Sequence, residues 1–219
     1  LPDAFVIGKK FIGTSNVALI LGDNFFYGQY LSERLKDSVK LSKGAKVFLH
    51  RVSHPERYGV AKVKNNKITI IKEKPKKYIS DLAITGLYFF DNKVVEFAKK
   101  LKPSKRGELE IVDLLNKYKK VNKLSADYIG RGGSWLDTGS ISDFYKTSDF
   151  VSVVENRQGF KIACIEEIAL NNKWIKRKDI IKSIKFYGKC EYSNYLKKLI
   201  KHRWKKLKQK LKACIFMKV

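Results

Sequence analysis

Two carboxylates stand where an α/β protein presents groups to a ligand. Asp23 follows the apolar run 17–21 and Gly22; Asp137 follows the glycine-rich loop 130–133, inside Trp135-Leu136-Asp137-Thr138-Gly139. Ligands of open α/β sheets bind beyond the carboxyl ends of strands. Mg²⁺ takes one or two carboxylates and completes its shell with phosphate and water. Two acids at separate strand ends suit such a complex, or each is a turn or cap residue; spacing alone leaves both readings open. Glu73-Lys74-Pro75 ends a strand. A glutamate can accept hydrogen bonds from sugar hydroxyls and a lysine can pair with phosphate; the other reading is a charged strand end in a lysine-rich chain. Pro55-Glu56-Arg57-Tyr58-Gly59-Val60 brings a ring, charges and a glycine to a strand entry. Gly59 would let backbone N–H groups approach a ligand, or the segment is an ordinary hairpin-edge turn.

Other reactive residues point to less. His50, His54 and His202 have no metal-ligand spacing, and His50 reads as a packed strand residue. Cys164, Cys190 and Cys214 have no paired spacing, so they build neither a disulfide framework nor a zinc knuckle. They fit a reducing compartment, with the cytoplasm the expected location. Cys164 reads as core. No Ser/His/Asp or Cys/His arrangement offers a covalent nucleophile.

The elements that must position these groups alternate. A short strand is predicted over 16–21, apolar from Val17 to Leu21, and a helix over 29–41 follows with Leu31, Leu35 and Val39 on one stripe. Further strands are predicted at 45–52, 58–63, 67–73, 83–90, 123–129 and 134–138. Asn65-Asn66 marks a hairpin. Helices are predicted from the cap Asp91 to about 101, over 108–118, and from the capping box at Ser140 to about 155. Beyond 165 the chain reads as mainly helical. The expected class is α/β, with a mostly parallel sheet flanked by helices and a helical C-terminal part.

The chain has 219 residues, with 47 Lys plus Arg against 21 Asp plus Glu and a formal charge of +26. At 44% hydrophobic residues it carries enough apolar surface for a packed core and does not resemble a disordered polyelectrolyte. Such a charge attracts anions: nucleotides, sugar phosphates or acidic surfaces. Lysine dominates, whereas readers of bases and phosphates lean on arginine. No pattern of a nucleic-acid-binding module is present, so no nucleic-acid partner is expected. The segment 201–219 holds seven Lys, one Arg and no acid. With Leu199, Trp204, Leu207 and Leu211 it reads as a basic terminal helix, docked or fraying, or else as a contact for an anionic membrane or partner.

In order and spacing these motifs resemble one family, the glucose-1-phosphate thymidylyltransferases of the sugar nucleotidyltransferase class. The matching stretches are LGDNFFYG (21–28), PERYGV (55–60), EKP (73–75), ITGLYFFD (84–91), LKPSKRGELEIVDL (101–114), GRGGSWLDTG (130–139) and ENRQGFKIACIEEIA (155–169). The resemblance covers about 1–200 and implies a Rossmann-like nucleotidyltransferase fold. It implies synthesis of dTDP-glucose and pyrophosphate from dTTP and glucose 1-phosphate with Mg²⁺, as nucleotide-sugar precursor supply, in a homo-oligomer. Residue by residue it makes Asp23 and Asp137 the metal acids. Tyr58, Gly59, Ile84, Tyr88 and Trp135 become pocket residues, Glu73 the acid on the sugar hydroxyls, and Lys74 a phosphate ligand.

There are departures. No GxGTR-like triphosphate loop is present, and no basic catalytic residue of the family's first segment. The expectation is therefore of an N-terminally truncated domain, 1–200, with an α/β part at 1–139, a mainly helical part at 140–200 and a basic tail at 201–219. A catalytically inactive fragment is the alternative expectation, and an anion-binding module on nucleic acid or membrane a third.

Overall fold

A computed structural model describes residues 1–104 and 107–201. Strand β6 (Leu82–Phe90) is its spine, and every residue of that strand is buried. Leu82, Ile84, Tyr88 and Phe90 face one core, with Val47 and Leu49 of β3 (Ala45–Arg51) and with Leu114, Leu115 and Tyr118 of α5 (Ile111–Lys120). Leu87 and Phe89 face the other way and meet Phe48. The two faces alternate residue by residue, so the strand is apolar but for Thr85 and Gly86 because both of its sides are covered.

The α/β class is as expected, but the sheet is mixed rather than mostly parallel. β6 pairs antiparallel with β3 along one edge. Its other edge is shared by β1 (Val17–Ile20), at Leu87 to Phe90, and by β4 (Gly59–Lys64), at Ala83; both run antiparallel to it. β5 (Lys67–Glu73) completes a hairpin with β4 around Asn65 and Asn66, both at positive φ. Among the described pairings only β3 and β7 (Leu124–Tyr128) are parallel. The apolar run of β6 reflects burial on both faces and carries no information on strand direction, and the equally apolar β1 leaves Ala18 and Ile20 exposed. β1, β3 and β7 do share one direction, with β6 opposed between β1 and β3.

A second, two-stranded sheet was not foreseen. β2 (Asn24–Gly28) pairs antiparallel with β8 (Gly133–Asp137), setting Asn24 opposite Asp137. The strands come so close at one end that a Cβ on Gly28 would lie 2.7 Å from the Cα of Gly133. Glycine is required at that crossing.

Asp91 fastens the sheet to the helices. Its Oδ2 accepts from Gly44 N at 2.7 Å, and its Oδ1 from Tyr118 Oη at 2.7 Å and Lys93 N at 3.1 Å. It was expected to cap a helix directly. Instead it closes a turn onto Lys93, and α4 (Val94–Lys99) starts after it. Phe97 and Phe90 pack on Tyr118, with ring centroids 4.8 and 5.6 Å away.

The packing divides the described residues into two units that meet between Thr147 and Ser148, a boundary inside α6 (Ile141–Gln158). In the second unit Cys164, Ile180 and Leu196 form a small core, so Cys164 is indeed buried. Tyr192 donates to the buried Glu166 at 2.5 Å. Burial pushes that carboxyl up, but the hydrogen bond from Tyr192 and others outweigh it and hold it below its usual range. The proposed basic tail lies outside the described residues except for Lys201. No helix among the described residues is long and apolar enough to cross a membrane.

Candidate active site

The hairpin brings two of the sequence motifs face to face. The short 3₁₀ turn Pro55–Arg57 delivers Tyr58 and Gly59 to the start of β4, and β5 ends on Glu73, with Lys74 just after it. Gly59 is paired with Glu73, and Lys74 N donates to Tyr58 O at 3.0 Å. A Cβ on Gly59 would lie 2.9 Å from Glu73 Oε2, so glycine leaves room for the carboxylate to lie across the strand. Lys74 has φ of 38°, unusual for a residue with a side chain.

Ile84 and Tyr88 project from the same face of β6, and Trp135 and Asp137 come from β8. Tyr58, Gly59, Glu73, Lys74, Ile84, Tyr88, Trp135 and Asp137 line one pocket of about 190 Å³. All seven residues expected to bind substrate therefore share a cavity with one of the two expected metal acids. The indole of Trp135 is buried and meets the Tyr58 ring edge-on at 5.1 Å. Burial pushes the Tyr58 phenol up; burial, then the Glu73 charge, do the same to Tyr88, so both stay neutral hydrogen-bonding groups at ordinary pH.

Asp23 lies beside this pocket, next to Asp137. Thr138 N and Oγ1 both donate to Asp23 O, at 2.7 and 2.8 Å. Gly139 N donates to Asp137 Oδ1 at 3.0 Å. The point where a Cβ of Gly139 would stand is 3.2 Å from Asp137 Oδ1 and 3.7 Å from Asp23 Oδ2. The two carboxylates thus converge around a residue with no side chain. Among the described residues no group of three or more His, Cys, Asp or Glu is arranged to hold a metal, so this site has two protein acids and no more.

Arg57 and Asn24 also line the pocket, and neither had been assigned a role. Arg57 Nη2 donates to Asp143 Oδ2 at 3.2 Å, tying the loop before β4 to the first turn of α6. Ser140 Oγ donates to the same oxygen at 2.7 Å. The Ser140 hydroxyl, then Arg57 and Lys146, hold the Asp143 carboxyl down at about 2. A carboxyl depressed on folding contributes stability above its unfolded value and loses it as pH falls through the folded one. The tie should therefore persist from neutral pH down to about 2, as a carboxyl-carbon NMR titration of Asp143 would show. A midpoint near the ordinary value of about 4 would mean that the tie is absent in solution.

Residues 1–153 match the sequence profile of the nucleotidyl transferase family. The chain belongs to that family. This nucleotidyltransferase chain is 49% identical over 201 residues to the glucose-1-phosphate thymidylyltransferase of Neisseria gonorrhoeae, covering 91% of this chain and 70% of that protein. It is 40% identical over 201 residues to the one from Mycobacterium tuberculosis (strain ATCC 25618 / H37Rv), covering 91% and 69%. A crystal structure from Bacillus anthracis, described as a glucose-1-phosphate thymidylyltransferase in complex with sucrose, superposes with a TM-score of 0.62 at 38% identity. That superposition covers 68% of this chain and 60% of the other. The nucleotidyltransferase chain therefore spans about 70% of the length of these curated relatives.

Proposed function

We propose that the pocket binds a hexose 1-phosphate, and that the protein forms dTDP-glucose and pyrophosphate from dTTP and glucose 1-phosphate with Mg²⁺. The observation that carries this reading is the convergence of Glu73, Tyr58 and Trp135 in one cavity with Asp137, and with Asp23 beside it. The relatives named for this activity supply the choice of thymidine and glucose.

The roles follow from the chemistry of the groups. The Glu73 carboxylate, lying against Gly59, accepts hydrogen bonds from sugar hydroxyls, which fixes the rotation of the ring. Trp135 and Tyr58 form an aromatic wall, and Ile84 and Tyr88 the floor. The Lys74 ammonium draws the anionic end of the sugar phosphate toward the acids. With the sugar phosphate held there, one of its oxygens attacks the α-phosphorus of dTTP. A new P–O bond forms, the bond to pyrophosphate breaks, and its electron pair leaves with pyrophosphate. Such a transfer depends on positioning and charge stabilisation and needs no covalent nucleophile. Asp23 and Asp137, a pair of hard oxygen donors, would hold Mg²⁺, which when bound neutralises phosphate charge.

The test is calorimetric titration with glucose 1-phosphate, together with assay of dTDP-glucose formed in dTTP and Mg²⁺. Glu73→Gln should weaken sugar phosphate binding by roughly 10- to 100-fold, the scale of a hydrogen bond to a charged acceptor. Equal affinity in the two proteins would remove Glu73 from the site and the proposal with it.

A further inference from the structure

Asn24 closes the turn between β1 and β2, and its carboxamide bonds to three separate parts of the site. Oδ1 accepts from the backbone N–H of Gly86 at 2.9 Å and from the indole Nε1–H of Trp135 at 2.6 Å. Nδ2 donates to Asp23 Oδ1 at 2.9 Å. The amide fits only this way round. Both partners of Oδ1 are pure donors, and the ionised partner of Nδ2 is a pure acceptor. A half-turn of the amide would set donor against donor twice and acceptor against acceptor once. Leucine, of similar shape, would forfeit all three bonds.

Position 86 is shaped for this side chain. A Cβ there would stand 2.5 Å from Asn24 Oδ1 and 2.7 Å from its Cγ. The register between β3 and β6 also slips between Val47 and Leu49, opposite this part of the strand. The glycine that interrupts an otherwise apolar strand is the space Asn24 occupies, and its N–H goes to a side chain rather than to a neighbouring strand.

We infer that Asn24 is a positioning residue. It ties Trp135, a wall of the pocket, and Asp23, one of the converging acids, to the central strand. The aromatic wall and the acid then keep one relative geometry as substrate enters and leaves. Its consequence for catalysis rests on the proposed sugar phosphate site, whereas the junction itself can be observed without any ligand.

The experiment uses ¹⁵N-labelled protein. The three Trp give three indole N–H resonances, and Trp135→Phe identifies the one of interest. Asn24→Ala should shift that resonance and speed its exchange with solvent by about tenfold, the scale of one net hydrogen bond, leaving the other two in place. Gly86→Ala keeps Asn24 in the sequence but takes its space. It should move the same resonance, and it serves if Asn24→Ala does not fold. In glucose 1-phosphate titrations, Asn24→Ala combined with Trp135→Phe should lose less than the sum of the two single losses, because both break the same Asn24–Trp135 bond. Additive losses, or a Trp135 resonance unmoved in both Asn24→Ala and Gly86→Ala, would overturn the inference. If the resonance moves as expected but the unsubstituted protein does not bind glucose 1-phosphate, the junction stands and the proposed function falls.

Discussion

Alanine at both Asp23 and Asp137 should lower pyrophosphate release by at least about a thousandfold, because metal-supplied charge stabilisation is worth several kcal/mol. The reason is geometric. The two carboxylates approach one point beside Gly139, and no third His, Cys, Asp or Glu joins them among the described residues. Neither loss can be made up by a neighbour. Each single substitution should therefore cost nearly as much as the pair, as happens when groups act as a unit. Glucose 1-phosphate affinity measured without metal should change far less, since Glu73 and the aromatic wall remain. A coupled pyrophosphate assay at fixed Mg²⁺ reads the first effect and calorimetry the second. Product formed by the double variant at the unsubstituted rate would refute the assignment.

Asp91→Ala should cost about 3–5 kcal/mol of stability, since it takes the acceptor from more than one buried donor at about 1–3 kcal/mol each. One carboxylate holds Gly44 N, Lys93 N and the Tyr118 hydroxyl, and it is itself only 5% exposed. Its removal leaves the Tyr118 hydroxyl, among Phe90, Phe97 and the helix, with only the long 3.5 Å contact to Asp91 O, and a poorly satisfied buried donor costs more than the bond it made. Burial first, then the bond to Asp91, push the Tyr118 phenol well above its usual value, so it stays a donor at any physiological pH. Gly44 N loses its acceptor at a residue that cannot rearrange easily: its φ is 97°, and a Cβ there would meet Lys123 O at 2.4 Å. For a chain of this length the loss corresponds to a fall in melting temperature of roughly 10 °C. Tyr118→Phe, which removes one bond and keeps the packing, should cost only about 1 kcal/mol. Melting curves by circular dichroism would separate the two, and equal values would mean that the hub is not Asp91.

Much of this arrangement is legible in the sequence, and the misses have physical reasons. The apolar run at 82–90 gives away a strand covered on both faces. Asn65-Asn66 gives away a hairpin because two successive residues at positive φ favour such residues. Strand direction is invisible, because burial is the same whichever way a neighbour points. β2 was passed over since Phe25, Phe26 and Tyr27, between an acid-bearing turn and a glycine, show no alternation of apolar and polar residues. Its partner β8 lies more than a hundred residues away, and only the pairing gives it meaning. The seven residues line one cavity, a grouping of distant segments that local sequence does not show. Arg57 and Asn24 were missed for another reason: the use of each depends on a partner, Asp143 or Trp135, that local sequence cannot place. The use of Gly86 is visible only with the side chain that fills its gap.

If Lys74 takes the sugar phosphate as proposed, the left-handed backbone there bears on the entropy of that step. Holding a non-glycine residue in a sparsely populated region costs on the order of 1 kcal/mol, and the proline that follows narrows its choices further. That cost is met once, when the hairpin closes and Lys74 N bonds to Tyr58 O. It does not recur each time an anion arrives. The Cα–Cβ direction is already set by the main chain, so the backbone share of the ordering cost is not met again on binding. The pedestal is stiff and only the side-chain rotors must settle.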